Sequence, residues 1–152
     1  MTSIKNHTWS ILAALFYAGL LFGGIAFLAT GGYFNRSVGV ADFLLMSLAV
    51  WRLTRLFTYD AITTFIRDWF KGAEPHTLAG TLNTLLNCPW CTGLWFALMV
   101  VFFYFLTPFT WPVLLILGIS AVGSFFQVLS NLVGWSAEVK KLEARKLQKD
   151  NT

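Results

Sequence analysis

Residues Trp9 to Thr30 read WSILAALFYAGLLFGGIAFLAT, 22 in a row without one charged side chain. Wound as an α-helix they reach about 33 Å, enough to cross a hydrocarbon layer about 30 Å thick. Three further runs follow: Ala41 to Phe57, Pro89 to Thr107 and Pro112 to Gly134. Four such runs leave little chain for anything else. Only 12% of the 152 residues are charged, against about 25% in soluble domains. In lipid every backbone N–H and C=O needs an internal partner, which makes each run a helix. The expected fold is therefore all-α, a polytopic membrane protein with four spans in one domain.

Local punctuation agrees. Lys5 before the first run resembles the basic start of a signal peptide. The run is too long for one, and no small-residue cleavage site follows, so it is expected to be a retained span. GGYFN ends it, and Asp42 stands at the start of the second span as a possible cap. Pro89 suits the first position of the third helix, which puts Cys88 near its N-cap. Pro108 breaks that helix, and Trp111 and Trp135 flank the fourth span.

Between spans two and three lies DAITTFIRDWFKG. Ile62, Phe65, Ile66, Trp69 and Phe70 recur at helical spacing, with Thr63, Thr64, Arg67, Asp68 and Lys71 opposite. The expected element is a short amphipathic helix over 60–71, capped by Asp60 and lying in the headgroup plane. Residues 136–152 read as a separate basic helix capped by Ser136. Lys141, Arg145 and Lys149 form a stripe suited to an anionic leaflet.

Charge orients the spans. Lys5, Arg52, Arg55, Arg67, Lys71, Lys140, Lys141, Arg145, Lys146 and Lys149 fall on one side and Arg36 alone on the other. The positive-inside rule then puts both termini in the cytoplasm. The net charge of +4 is explained by topology, and nucleic acid is not an expected partner. Six tryptophans, Trp9, Trp51, Trp69, Trp90, Trp95 and Trp135, fall toward the cytoplasmic face.

Three sets of polar or small residues interrupt the oil. Arg52 and Arg55 lie late in the second span, where an unpaired Arg costs about 2.5–3.5 kcal/mol at mid-membrane. They can snorkel to the interface, clamp a lipid phosphate, or join Asp60, Arg67, Asp68 and nearby Trp95 in a cluster at the inner interface. Ser120, Ser124, Gln127 and Asn131 form a polar stripe on the fourth span. Such a stripe either hydrogen-bonds neighbouring helices or lines a water path. Gly19 and Gly23 make a GxxxG that permits close helix approach, within the bundle or between copies.

The chain has two cysteines, Cys88 and Cys91, in NCPWC. A thiol at a helix N-terminus is a better thiolate, so a redox role is open. A single pair facing a reducing cytoplasm argues against it. Zinc at this pair needs more ligands than Cys88, Cys91 and His76 supply. Simple packing is the third reading. No nucleophile–base pair, phosphate loop or acid pair is visible, and His7 and His76 are the only histidines. No catalytic residue or cofactor is expected.

RLTRLFTYDAITTFIRDWF followed by LLNCPWCTGLW resembles a family of small bacterial and phage membrane proteins, domain-of-unknown-function thirteen-sixty, one branch of which is called a sporulation protein. The resemblance rests on Arg52, Arg55, Asp60, Ile62, Arg67, Cys88, Pro89, Cys91 and Trp95 and covers roughly residues 43 to 130. It implies a polytopic membrane protein and no established activity. The expected function is a non-enzymatic scaffold or assembly partner in the bacterial inner membrane. It would self-associate or bind another membrane protein, and would touch anionic lipid. Rival expectations are a CxxC thiol or metal protein and a small oligomeric channel or holin-like pore.

Overall fold

The computed structural model describes residues 8–35, 37–74 and 77–150, and all its regular elements are helical. In chain order they are α1 (Thr8–Thr30), a 3-10 turn (Tyr33–Asn35), α2 (Val40–Thr58), a 3-10 turn (Ala61–Thr63), α3 (Thr64–Phe70), α4 (Leu78–Asn87), α5 (Pro89–Leu106) and α6 (Thr110–Asp150). Lys5, His7, Arg36 and His76, all invoked above, lie outside the described residues.

Three helices, α1, α5 and α6, are long and apolar enough to cross a membrane. The stretch expected as the second span is the 19-residue helix α2, which carries Asp42, Arg52 and Arg55 and is not among these three. The one expected span with charged side chains inside it is also the central helix: α2 makes its main contacts with α5 on one side and α6 on the other. Met46, Ala49, Val100, Tyr104 and Leu114 form the core between them. Small residues allow this approach. A Cβ on Gly118 would lie 2.6 Å from Leu45 Cδ1, and one on Gly93 would lie 3.3 Å from Thr54 Oγ1. The outer helix α1 rests on α5, where Tyr17 meets Trp95 edge-on at 5.1 Å and Phe27 lies 6.2 Å from Phe102. The matching order of these pairs makes α1 parallel to α5.

Four expectations need correction. Asp42 is not the N-cap of α2. Gly39 is, and Asp42 reaches back to accept from Gly39 N at 3.4 Å. Asp60 does not cap the next helix through its side chain, because its carboxylate is taken by Arg52. The element expected over 60–71 is a 3-10 turn followed by the shorter α3, and a second short helix, α4, was not anticipated. α4 had a readable signal: Leu78, Leu82, Leu85 and Leu86 at helical spacing behind Thr77, whose hydroxyl accepts from Gly80 N at 3.1 Å. Finally, the fourth span and the tail are one helix. Ser136 donates to Val133 O at 2.8 Å inside it, the back-bond a hydroxyl makes within a continuing helix. At 1.5 Å per residue, the 41 residues of α6 extend about 60 Å.

Candidate functional site at the end of α2

The motif residues gather where α2 ends. The last carbonyls of a helix have no partner inside it, and in this setting they need donors. Tyr59 N and Asp60 N both donate to Arg55 O, at 2.8 and 3.2 Å, and the chain then turns back beneath the helix. Thr63, which is buried, donates its hydroxyl to Leu56 O. Arg67, from α3, donates to Phe57 O and Asp60 O, both at 3.2 Å, and to Thr64 Oγ1 at 3.1 Å. A guanidinium here also meets the negative end of the α2 dipole. One threonine and one arginine thus close the C-terminus of α2 and fasten α3 to it.

Arg52 supplies the other half. Its Nη1 donates to Asp60 Oδ2 at 2.9 Å, and its Nε donates to Ser120 Oγ on α6 at 2.8 Å. The paired side chains are only 18% and 28% exposed. The planar fork of arginine makes both bonds at once, which a lysine point charge cannot copy. This Arg–Asp–Ser link ties α2, its returning loop and α6 together.

The expected cluster is therefore only partly assembled. Arg52, Asp60 and Arg67 come together, and Ser120 joins them from the polar stripe. Asp68 instead pairs with Lys71 on its own short helix. Trp95 packs against Phe16 and Tyr17 of α1. Arg55 turns to a different face of α2, its guanidinium 5.7 Å from the Trp51 ring centre and 5.9 Å from that of Tyr59. The rest of the stripe stays apart: Ser124 is half-buried, and Gln127 and Asn131 are exposed and bonded to each other at 3.4 Å. A Cβ on Gly19 or Gly23 would meet nothing within 4 Å, so neither marks a close helix approach among the described residues. Thr63 and Thr92 were overlooked in the sequence. A Thr three residues after the helix-ending Asp60 was the signal for the first.

The thiols sit at a second joint. Cys88 is the N-cap of α5, its Sγ accepting from Cys91 N at 3.4 Å, and the two sulfurs are 2.7 Å apart. Buried Thr92 donates to Leu85 O at 2.7 Å and so holds α4 to α5. Cys91 lines a cleft of about 450 Å³ between α1, α4 and α5, with Ser10, Tyr17, Thr81, Thr84 and Trp95 among its walls. The Cys91 thiol, as hydrogen-bond donor, lowers the pKa of Cys88 below its ordinary value, helped by the N–H groups of Cys91 and Trp90. Among the described residues no three His, Cys, Asp or Glu side chains are grouped to hold a metal. The pair alone is half of a structural zinc site.

A lowered pKa means more thiolate at neutral pH and faster attack on an electrophile. Cys88 is thus expected to be alkylated by N-ethylmaleimide before Cys91 at pH 7, as mapped by peptide mass. Cys91→Ala should slow Cys88 and raise the midpoint of its pH–rate curve. An unchanged midpoint would mean that the neighbouring thiol does not tune it.

With this geometry in view, residues 45–130 match the family described as "Protein of unknown function (DUF1360)". The chain belongs to the DUF1360 family. The match runs from the middle of α2 to the middle of α6 and encloses both joints. Two proteins of Bacillus subtilis (strain 168) are similar in sequence. UPF0713 protein YngL is 32% identical over 97 residues, covering 56% of this chain and 75% of YngL. Sporulation protein YjcA is 37% identical over 70 residues, covering 36% of this chain and 59% of YjcA, less than two thirds of that relative. No solved structure matches. In this DUF1360 chain the Arg52–Asp60 pair and the Arg67 cap close the C-terminal end of α2, and the Cys88 joint lies at the N-terminal end of α5.

Proposed function

We propose that this protein crosses the bacterial cytoplasmic membrane four times, with both ends in the cytoplasm, and works there as an assembly partner. Crossing by α2 is reasonable despite its charges, because Arg52 is paired with Asp60 and Ser120 and α2 lies between two apolar helices. The exposed Ile62, Phe65 and Trp69 suit a headgroup-level position for the α3 segment.

One observation carries the assembly role. On α6, Leu114, Gly118 and Ala121 are buried against the bundle, at alternating spacings of four and three. The same spacing continues through Phe125, Val128, Leu132, Trp135, Val139 and Leu142, yet these are 44–78% exposed. Lipid would cover the part of this stripe within the proposed span, but Trp135, Val139 and Leu142 lie beyond it among charged residues, and an apolar seam there suits a second helix. Parallel pairing with another copy would bring the basic turns at Lys141 and Arg145 side by side, like charge against like. The basic stripe of Lys141, Arg145 and Lys149 favours a different occupant: a membrane helix that continues into an acidic cytoplasmic segment.

The test places a photoreactive residue at Leu132 in cells. The expected product is one adduct whose added mass differs from the 17.1 kDa of this chain, and which is lost when Lys141 and Arg145 are reversed to Glu. An adduct of two copies, or none, would overturn the proposal.

A second reading, a thiol protein, is favoured by a single feature: a thiolate-prone Cys88 beside a Cys91 that opens on a cleft.

A further inference from the structure

We infer that Trp51, Arg55, Thr58 and Tyr59 form a binding site for a phosphate anion at the depth of lipid headgroups. The inference rests on the membrane placement proposed above. At 100° per residue, positions 51, 55, 58 and 59 share one side of α2. Arg52 and Thr54, which meet α6 and α5, lie at the two edges of this side, and Phe57, which also meets α5, points away from it.

The other two arginines at this end of the bundle are saturated, Arg52 by Asp60 and Ser120, Arg67 by two carbonyls and a hydroxyl. Arg55 is not. Among the described residues it has no ion pair: Asp60 is engaged by Arg52 and Asp68 by Lys71. Its Nε and the hydroxyl of Thr58, one turn away, are both closed off without a hydrogen-bond partner. A buried polar group left unbonded costs about 1–3 kcal/mol. Two of them three residues apart, beside an uncompensated positive charge, mark a place where an acceptor is missing.

The missing acceptor has a definable chemistry. A guanidinium offers Nε and Nη as a fork that matches two phosphate oxygens, and a threonine hydroxyl can donate to a third. Trp51 and Tyr59 face the guanidinium by cation–π contact and suit the aromatic belt of an interface. Only Nε of the guanidinium is closed off, so an anion would first meet the outer nitrogens. A change of Arg55 rotamer then brings Nε to it, relieving the unbonded group. Arg55 stands one turn before the end of α2, and the exposed apolar residues Ile62, Phe65 and Trp69 follow at once. That is the level of a phospholipid phosphate.

The experiment counts lipids that remain on the purified full chain by native mass spectrometry. The probes are mixed micelles of phosphatidylglycerol and phosphatidylcholine, and inorganic phosphate alone. Wild type should retain phosphatidylglycerol in preference to phosphatidylcholine. Arg55→Gln should cut that preference about fivefold, the size one charge is worth at an anionic leaflet. Arg55→Lys should keep part of it, and Thr58→Val should weaken it with the fold intact. Retention of inorganic phosphate, lost in Arg55→Gln, with both lipids held alike, would assign the same site to a soluble phosphate. Equal retention of every probe by wild type, Arg55→Gln and Thr58→Val would overturn this inference alone. Recovery of the chain from the soluble fraction without detergent would overturn the membrane placement with it.

Discussion

Asp60→Asn is expected to destabilise the folded bundle by about 2 kcal/mol, between what a solvated surface bridge contributes and what removing one partner from a fully buried ion pair costs. The amide can still accept a hydrogen bond but cannot neutralise Arg52, whose side chain is only 18% exposed. The measurement is the unfolding midpoint in detergent, followed by denaturant titration or thermal melting. Two companions decide the cause. Arg52→Lys should lose a large part of the same stability, because one ammonium cannot hold Asp60 and Ser120 as the two guanidinium nitrogens do. Arg52→Met combined with Asp60→Leu should recover much of the loss, since an apolar pair of similar bulk removes both charges together. A loss below about 0.5 kcal/mol for Asp60→Asn would put the pair among solvated surface bridges and would remove it as the lock at the end of α2.

Gly118→Val should cost somewhat more, about 3 kcal/mol, the upper part of the range for overfilling a packed interior. The first added carbon would sit 2.6 Å from Leu45 Cδ1, and a branched side chain on a helix has few rotamers with which to escape. Either Leu45 leaves its place or α2 and α6 separate, and separation would stretch the Arg52–Ser120 bond as well. Adding Leu45→Ala should return part of the loss. Gly23→Ala is the matched control: its added carbon meets nothing within 4 Å, so stability should stay within about 0.5 kcal/mol of wild type. If both glycine variants behave alike, the close approach of α2 and α6 is not what holds the bundle.

Much of the architecture was legible in the chain. Uninterrupted apolar length marks helices because the lipid leaves the backbone no other partner. The ends were readable too, from Pro89 and from the break at Pro108. α4 was missed because its ten residues are too short for hydropathy to notice. The break assumed at Ser136 was wrong because a change from apolar to basic surface alters what surrounds a helix. It does not interrupt the hydrogen bonds along it.

The site was legible only as a set of residue types. An arginine, an acid and a second arginine near a helix end had to be dealt with somehow, and the sequence allowed snorkelling, lipid clamping or pairing for each. Their assignment came from tertiary structure. Arg52 reaches Asp60 because the chain folds back under α2, and reaches Ser120, 68 positions away, because Gly118 lets α6 come close. Arg55, only three residues on, looks another way and finds no acid among the described residues. Composition and periodicity determined that this chain makes long apolar helices and which stripe of each helix is oily. They are sums over neighbours along the chain. Which charge met which partner depended on the crossing of α2 with α5 and α6, a distance in space that no local pattern encodes.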